Sequence, residues 1–193
     1  MSDDAFKGSN PGDQAAVIGP YDTYTFTTTG EELGRWWATL YEGIKRANVV
    51  LVKVPEIAMN AELQNRYLAE ASFLRALYYF DLIRAWGGVP IVTELAPPLT
   101  LPRNSDVEVY NLIESDLLYA IENLPEKSQY DAEDLGRACK GAAKALLAKV
   151  YMFQGNFSEA ETYLTEVINS SEFSLEPVFT DANSEAGEHG VES

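Results

Sequence analysis

Acid–base and nucleophilic catalysis draw on His, Cys or Lys held beside a partner. This sequence offers one histidine, His189, and one cysteine, Cys139. His189 lies in a C-terminal stretch without apolar periodicity, where a solvated side chain is the simplest reading. Cys139 opens an alanine-rich run and reads as a small buried residue. No His/Cys grouping has the spacing of a metal site, and neither a Gly-Lys-Ser phosphate loop nor a Gly-x-Gly-x-x-Gly turn occurs. The expectation is no catalytic residue, no metal and no cofactor. Carboxylates are numerous enough for a two-carboxylate glycosidase. However, Glu31/Glu32, Glu159/Glu161 and Glu114/Asp116 fall in helix caps or on helix faces expected to be exposed.

Aromatic residues are the other resource, with 8 Phe, 11 Tyr and 3 Trp. Most recur at helical spacing and read as core. Trp36 and Trp37 are adjacent and so point different ways. Tyr21, Tyr24 and Phe26 differ, because they sit in a polar stretch with no stripe to join, near Asn10, Asp13 and Asp22. Sugar rings stack on exposed aromatic faces while carboxylates and amides hydrogen-bond their hydroxyls. A loop pinned to the body by its aromatics would use the same residues, and both readings stand at this point.

The elements that must position these residues are helical. Residues 1–30 are broken by Gly8, Pro11, Gly12, Gly19, Pro20 and Gly30 and read as loop, with a short strand possible over Thr23–Thr29. Thr29-Gly-Glu-Glu32 matches a capping box, followed by Trp37, Leu40, Tyr41, Ile44, Asn48 and Leu51 at helical spacing up to Pro55. Asn60 can cap a second helix with the stripe Leu63, Tyr67, Ala71, Leu74, Tyr78 and Ala85, widened by Phe73, Leu77, Phe80 and Leu82. Glu62 and Arg66 form an i,i+4 pair on it, and Gly87-Gly88-Val89-Pro90 ends it. Ser105-Asp-Val-Glu108 is a second capping box, leading Val109, Ile113, Leu117, Ala120 and Leu124 to Pro125. Asp134 is placed to cap a helix running to Phe153, with Ala138, Ala142, Ala145, Leu146, Lys149, Val150 and Phe153 on its buried face. Ser158-Glu-Ala-Glu161 is placed to cap the last helix, through Ile168.

Composition excludes several classes. An apolar fraction of 46% over 193 residues supports a buried core. One cysteine rules out a disulfide scaffold. No stretch approaches the roughly 18 apolar residues of a membrane helix, and Met1-Ser2-Asp3-Asp4 lacks the basic and apolar regions of a signal peptide. A net charge of −16 opposes nucleic-acid binding, because phosphates would be repelled.

An internal repeat refines the fold. Leu146-Leu-Ala148-Lys-Val-Tyr151 followed by Gly155-Asn-Phe157-Ser-Glu-Ala160 matches a tetratricopeptide unit. In that unit Ala148 and Ala160 let paired helices approach, Tyr151 fills the gap and Gly155 makes the turn. Ala76-Leu-Tyr-Tyr79 repeats the Ala-x-x-Tyr step. The fold class expected is all-α, a helix-pair array with little sheet.

The ordered motifs Trp37-x-x-x-Tyr41-x-x-Ile44-x-x-Ala47-Asn48, Glu70-Ala-Ser-Phe-Leu-Arg-Ala76, Tyr78-Tyr-Phe-Asp-Leu82, Trp86-Gly-Gly-Val-Pro90, Arg103-Asn-Ser105 and Gly136-Arg137-Ala138 together resemble the SusD/RagB family. That family comprises surface nutrient-binding lipoproteins of Bacteroidetes. The opening Ser2-Asp-Asp-Ala-Phe-Lys-Gly8 also resembles the family's loop before its first helix. The resemblance implies a tetratricopeptide-like helical domain over 31–179, preceded by a loop region over 1–30 and followed by an unpacked tail over 180–193. It implies a protein without enzymatic activity, held at the outer membrane by an N-terminal lipid. Such a protein captures oligosaccharides, or peptides in some branches, for a TonB-dependent transporter barrel. Cys139 is mid-chain and cannot be the lipid-bearing cysteine, and family members continue beyond Ser193. Within this chain the loop before the first helix is the expected ligand site, with Tyr21 or Tyr24 stacking on a sugar ring and Asp13 or Asp4 taking its hydroxyls. A helical-repeat adaptor binding a peptide or protein partner is the alternative.

Overall fold

A computed structural model describes residues 19–21 and 23–175. Asp4, Asp13, Asp22, His189 and the 180–193 stretch lie outside the described residues. Of those described, 69% are helical, 3₁₀ turns included, and none is in a strand. The stretch over Thr23–Thr29 is loop, and the short strand its residue types allow does not form: Thr23 and Tyr24 lie in one turn, Thr28 and Thr29 in another. Among the described residues, a single helical turn at 19–21 is followed by five longer helices: α1 (Glu31–Lys53), α2 (Ala61–Trp86), α3 (Asp106–Asn123), α4 (Lys140–Gln154) and α5 (Phe157–Asn169). Among the described residues, no helix is long and apolar enough to cross a membrane.

The chain divides into two compact units, Met1–Glu42 and Gly43–Ser193. In the first, α1 opens without the expected capping box. The Thr29 hydroxyl bonds to that of Thr27 at 3.3 Å, and Gly30 supplies the carbonyl that accepts from Leu33 N and Gly34 N. Glu31 and Glu32 complement the N-terminal dipole instead, and both pair with Arg35.

In the second unit, α2 packs on α3, α3 on α4, and α4 on α5. Helix α2 starts where Asn60 accepts from Leu63 N at 3.0 Å and stops at Gly87, whose φ of 69° suits glycine. Its buried line is Ala69, Ser72, Ala76, Tyr79, Phe80 and Ile83. Leu74 and Ala85, expected on the stripe, are exposed, because a helix with neighbours on more than one side has no single apolar face to read. Arg66 turns to Glu70 and Asp134 rather than to Glu62. Helix α3 has the expected capping box, with Ser105 and Glu108 bonding reciprocally, and buries Val109, Ile113, Leu117 and Ala120. Ala69, Ala120, Leu124 and Ala143 form a core cluster. Asp116, expected on the surface, is buried on α3.

Helix α4 begins six residues later than Asp134. Asp134 closes a 3₁₀ turn and holds Arg66 and Arg137, and Gly136 at φ 89° breaks the chain's direction before Lys140. Lys140 N donates to Pro125 O at 2.9 Å. The buried face of α4 is Gly141, Ala143, Leu147, Ala148 and Val150. Ala145, Lys149 and Phe153 from the expected face are exposed, because the buried face is turned about the helix axis from the expected one and shares only Val150 with it: Gly141, Ala143, Leu147 and Ala148 point in instead. Gly155 ends α4 at φ 79°, with Asn156 N donating to Tyr151 O at 2.9 Å. Helix α5 starts at Phe157, so Ser158 lies inside it rather than capping it. Ala148 and Ala160 are buried and Tyr151 stacks on Tyr163 at 6.0 Å, as the repeat reading expects of a paired hairpin.

Candidate functional site

The expected ligand loop lies in the first unit and is built from consecutive turns. Thr23 N donates to Gly19 O at 3.2 Å, Thr25 N to Pro20 O at 2.9 Å and Gly30 N to Thr27 O at 3.0 Å. This folding brings Tyr21 and Phe26 into a parallel stack, with ring centroids 5.1 Å apart and an interplanar angle of 11°. Tyr21 is half-buried. Its hydroxyl has no hydrogen-bond partner among the described residues and lies 3.4 Å from where a Cβ on Gly30 would sit.

Tyr24 behaves differently. It is 62% exposed at a φ of 55°, a left-handed conformation uncommon for a bulky residue. A turn that holds an aromatic side chain in that conformation and outside any core is the kind of local cost that accumulates at ligand sites. Phe26 is 40% exposed, and hydroxyls of Thr23, Thr25, Thr27, Thr28 and Thr29 lie on the same exposed stretch. The two tryptophans separate as adjacency requires. Trp37 packs on Tyr41 at 4.9 Å, while Trp36 is 43% exposed. Trp36 is an addition to the candidate set, and the only signal for it in the sequence is that neighbours on a helix cannot share a face. Flat apolar faces beside hydroxyl groups suit the stacking and hydrogen bonding of a sugar. Among the described residues no three His, Cys, Asp or Glu side chains gather to hold a metal.

The second unit holds two further features. A buried polar network joins α1, α2 and α3. Arg75 donates to both carboxylate oxygens of Asp116 at 2.8 and 2.7 Å and to Asn48 Oδ1 at 2.9 Å. Asn48 Nδ2 donates to Val92 O at 2.9 Å. Burial pushes the Asp116 carboxyl up, against the opposing pull of Arg75. Tyr79, whose hydroxyl meets both Val92 N and Val92 O, is pushed up to about 12 by burial.

An apolar groove of about 780 Å³ lies along α2, α4 and α5, with Phe73, Leu74, Ala142, Ala145, Val167 and Phe173 among its walls. The 126–139 segment edges it. Arg137 bridges Glu70 at 3.0 Å and Asp134 at 2.6 Å, and Tyr130 Oη donates to Ala138 O at 2.7 Å. The guanidinium of Arg137 beside Asp134 holds that carboxyl below its usual range. Phe173 lies over Gly141, where a Cβ would fall 2.3 Å from its ring.

Known proteins share this architecture and sequence. A family described as starch-binding and associating with the outer membrane, SusD-like, matches residues 11–152. A SusD-like protein of Formosa agariphila is 38% identical over 144 residues, which cover 72% of this chain and 27% of that protein. Among solved structures, a laminarin-binding SusD-like protein superposes with a TM-score of 0.81 and 34% identity, covering 91% of this chain and 39% of that one. Another, solved with a xylogluco-oligosaccharide, gives 0.80 and 29%, covering 90% and 37%. The chain thus spans well under half the length of each of these relatives. By the motifs of its helices, their arrangement and these matches, the chain belongs to the SusD-like family.

Proposed function

We propose that this chain is part of a surface glycan-binding protein that captures an oligosaccharide and hands it to a TonB-dependent outer-membrane transporter without chemical change. The observation that carries the reading is family membership, and structural relatives that bind laminarin or a xylogluco-oligosaccharide support a sugar as cargo. The site proposed within this chain is the loop before α1. Tyr24, the more exposed ring, or Tyr21, which stacks on Phe26, offers the stacking face, and Asp13 or Asp4 takes sugar hydroxyls. Trp36 joins Tyr24 and Phe26 as a further exposed ring of the same unit. Because the chain covers only part of its relatives, isolated binding is expected to be weak, around millimolar, or about −4 kcal/mol.

Calorimetry of the full-length protein against a panel that includes laminarin and xylogluco-oligosaccharides tests the proposal. Tyr21→Ala with Tyr24→Ala is expected to weaken binding of the glycan, with a small drop in melting temperature from the lost Tyr21–Phe26 stack that Tyr24→Ala alone does not show. Unchanged binding in the double variant places the site elsewhere, and absence of glycan binding across the panel removes the function itself. A second reading, a helical-repeat adaptor that takes a peptide or protein partner, is favoured by the apolar groove along α2, α4 and α5. An apolar peptide that binds the same protein, with affinity lost on Ala145→Asp, would support it.

A further inference from the structure

The segment between α3 and α4 closes on itself. Lys140 N donates to Pro125 O at 2.9 Å, so residues 126–139 leave and rejoin the helices at one point, as an Ω-loop does. Inside the loop the backbone bonds to itself: Gln129 N to Glu126 O, Tyr130 N to Lys127 O, Asp134 N to Asp131 O and Arg137 N to Asp134 O. The Tyr130 hydroxyl adds its bond to Ala138 O. The ties from the body of the loop to its surroundings are charged. Arg66 and Glu70 of α2 and Asp134 and Arg137 of the loop form a closed ring in which each cation meets both carboxylates. Its sides are 3.1 Å from Arg66 to Asp134, 2.6 Å from Asp134 to Arg137, 3.0 Å from Arg137 to Glu70 and 3.4 Å from Glu70 to Arg66. At the other mooring, Ser128 N and Oγ each donate to the Glu172 carboxylate at 2.8 Å. Glu172 follows α5 and precedes Phe173, whose ring lies over Gly141 in the wall of the apolar groove. The loop is thereby moored to α2 on one side of the groove and to the segment after α5 on the other. Its apolar anchorage is slight: Ala132 and Leu135 are exposed, Tyr130 and Ala138 are half-buried, and Cys139 at its end is buried.

We infer that residues 126–139 are a hinged strap, latched across one end of the groove by the ion ring and by Glu172, which opens as a unit while α2, α3 and α4 stay folded. The bonded ends let the strap swing without parting α3 from α4, and its internal bonds keep its shape when it swings. Ion pairs near the surface are cheap to separate and are screened by salt. The helices, in contrast, are held by buried apolar side chains such as Ile113 and Leu147, which salt does not screen. A segment moored in this way opens at a free energy below that of global unfolding. Opening removes the strap residues Leu135 and Ala138 from the groove wall and uncovers Cys139, which is 6% exposed when the strap is closed. Glu70 and Arg137 are latch residues in this device and set access to the groove through the strap. The strap lies in the second unit, and the inference stands or falls apart from the loop before α1 and from glycan binding.

The test is N-ethylmaleimide labelling of Cys139 in the full-length protein, read by mass spectrometry of the peptide that carries it, beside global stability from urea unfolding in the same buffer. At low salt the rate should fall between that of the denatured chain and the limit set by global unfolding. It should rise about threefold with Arg137→Gln and with Glu172→Gln, and rise between about 0.05 and about 0.5 M NaCl, with global stability falling by less than the change in opening. The control Glu166→Gln, which breaks the Lys144 pair on α4 and leaves the strap untouched, should not change the rate. Labelling as fast as in the denatured chain, labelling limited by global unfolding, a rate indifferent to salt and to both latch variants, an equal rise in the control, or a rise matched by an equal loss of global stability would each overturn the inference.

Discussion

Replacing Arg75 with alanine removes three hydrogen bonds at once: the two to Asp116 and the one to Asn48. The Arg75 and Asp116 side chains are 12% and 7% exposed, so water cannot take over the lost role. The carboxylate of Asp116 is then buried without a counter-charge, which typically costs about 3–5 kcal/mol. Guanidinium unfolding at pH 8, followed by circular dichroism at 222 nm, should register a loss of that size. The sign of its pH dependence also follows. Without Arg75, only the upward push of burial on Asp116 remains, so its folded-state pKa rises further above the unfolded value. Stability tied to such a group is fullest below the unfolded pKa and is lost as pH rises through the folded one. The deficit of Arg75→Ala should therefore shrink from pH 8 towards pH 4. The double variant Arg75→Met with Asp116→Leu should recover most of the loss, because an apolar pair of similar volume leaves no charge behind. A deficit below about 1 kcal/mol, or one independent of pH, would refute the view that this pair is buried and interdependent.

Ala148→Leu should lower stability by about 1–3 kcal/mol, because the methyl of Ala148 is fully buried and a larger side chain must displace a neighbour; an unchanged thermal midpoint counts against the hairpin packing. Ser105→Ala should cost about 1 kcal/mol by removing the cap of α3, measured by the same unfolding assay. Glu108 completes that cap, and its bonds to the Ser105 backbone and side chain hold its carboxyl below 4.5. Its contribution is present above pH 4.5 and fades as pH falls through the lower folded value, so Glu108→Gln should flatten the acid limb of the stability profile.

Helix number and order were legible in the sequence because their stops and caps are local chemistry. Asn60, Gly87, Ser105 with Glu108, and Gly155 each act through the backbone within a turn. Faces were harder. Helix α4 buries Leu147 and Val150 together with Gly141, Ala143 and Ala148, and in a run as apolar as 145–150 the sequence does not say which of two adjacent residues turns inward. Asp134 and Thr29 resemble caps in sequence, yet the structure engages Asp134 with Arg66 and Arg137, and Thr29 with Thr27. Asp116 was misread because nothing near it in sequence announces a partner at position 75. In the loop before α1, the aromatic residues stood out by lacking a stripe. That Tyr24 is exposed while Tyr21 stacks on Phe26 depends on the turns between them, which residue type alone does not specify.

The Asn48–Arg75–Asp116 junction bears on how the chain reaches its native state. Its links span 27, 41 and 44 residues of sequence, from Asn48 to Arg75, Arg75 to Asp116 and Asn48 to Val92. Before all three helices are in place, any subset of them would hold a dry guanidinium or carboxylate with an unmet bond, so partial assemblies are penalised rather than rewarded. Such a junction acts as a checkpoint for assembly and couples its members into one cooperative block. In native-state hydrogen exchange the amides around Ile44, Tyr79 and Leu117 should open together at the free energy of global unfolding. The exposed last turn of α5, which shares none of these bonds, should fray on its own at a far lower free energy.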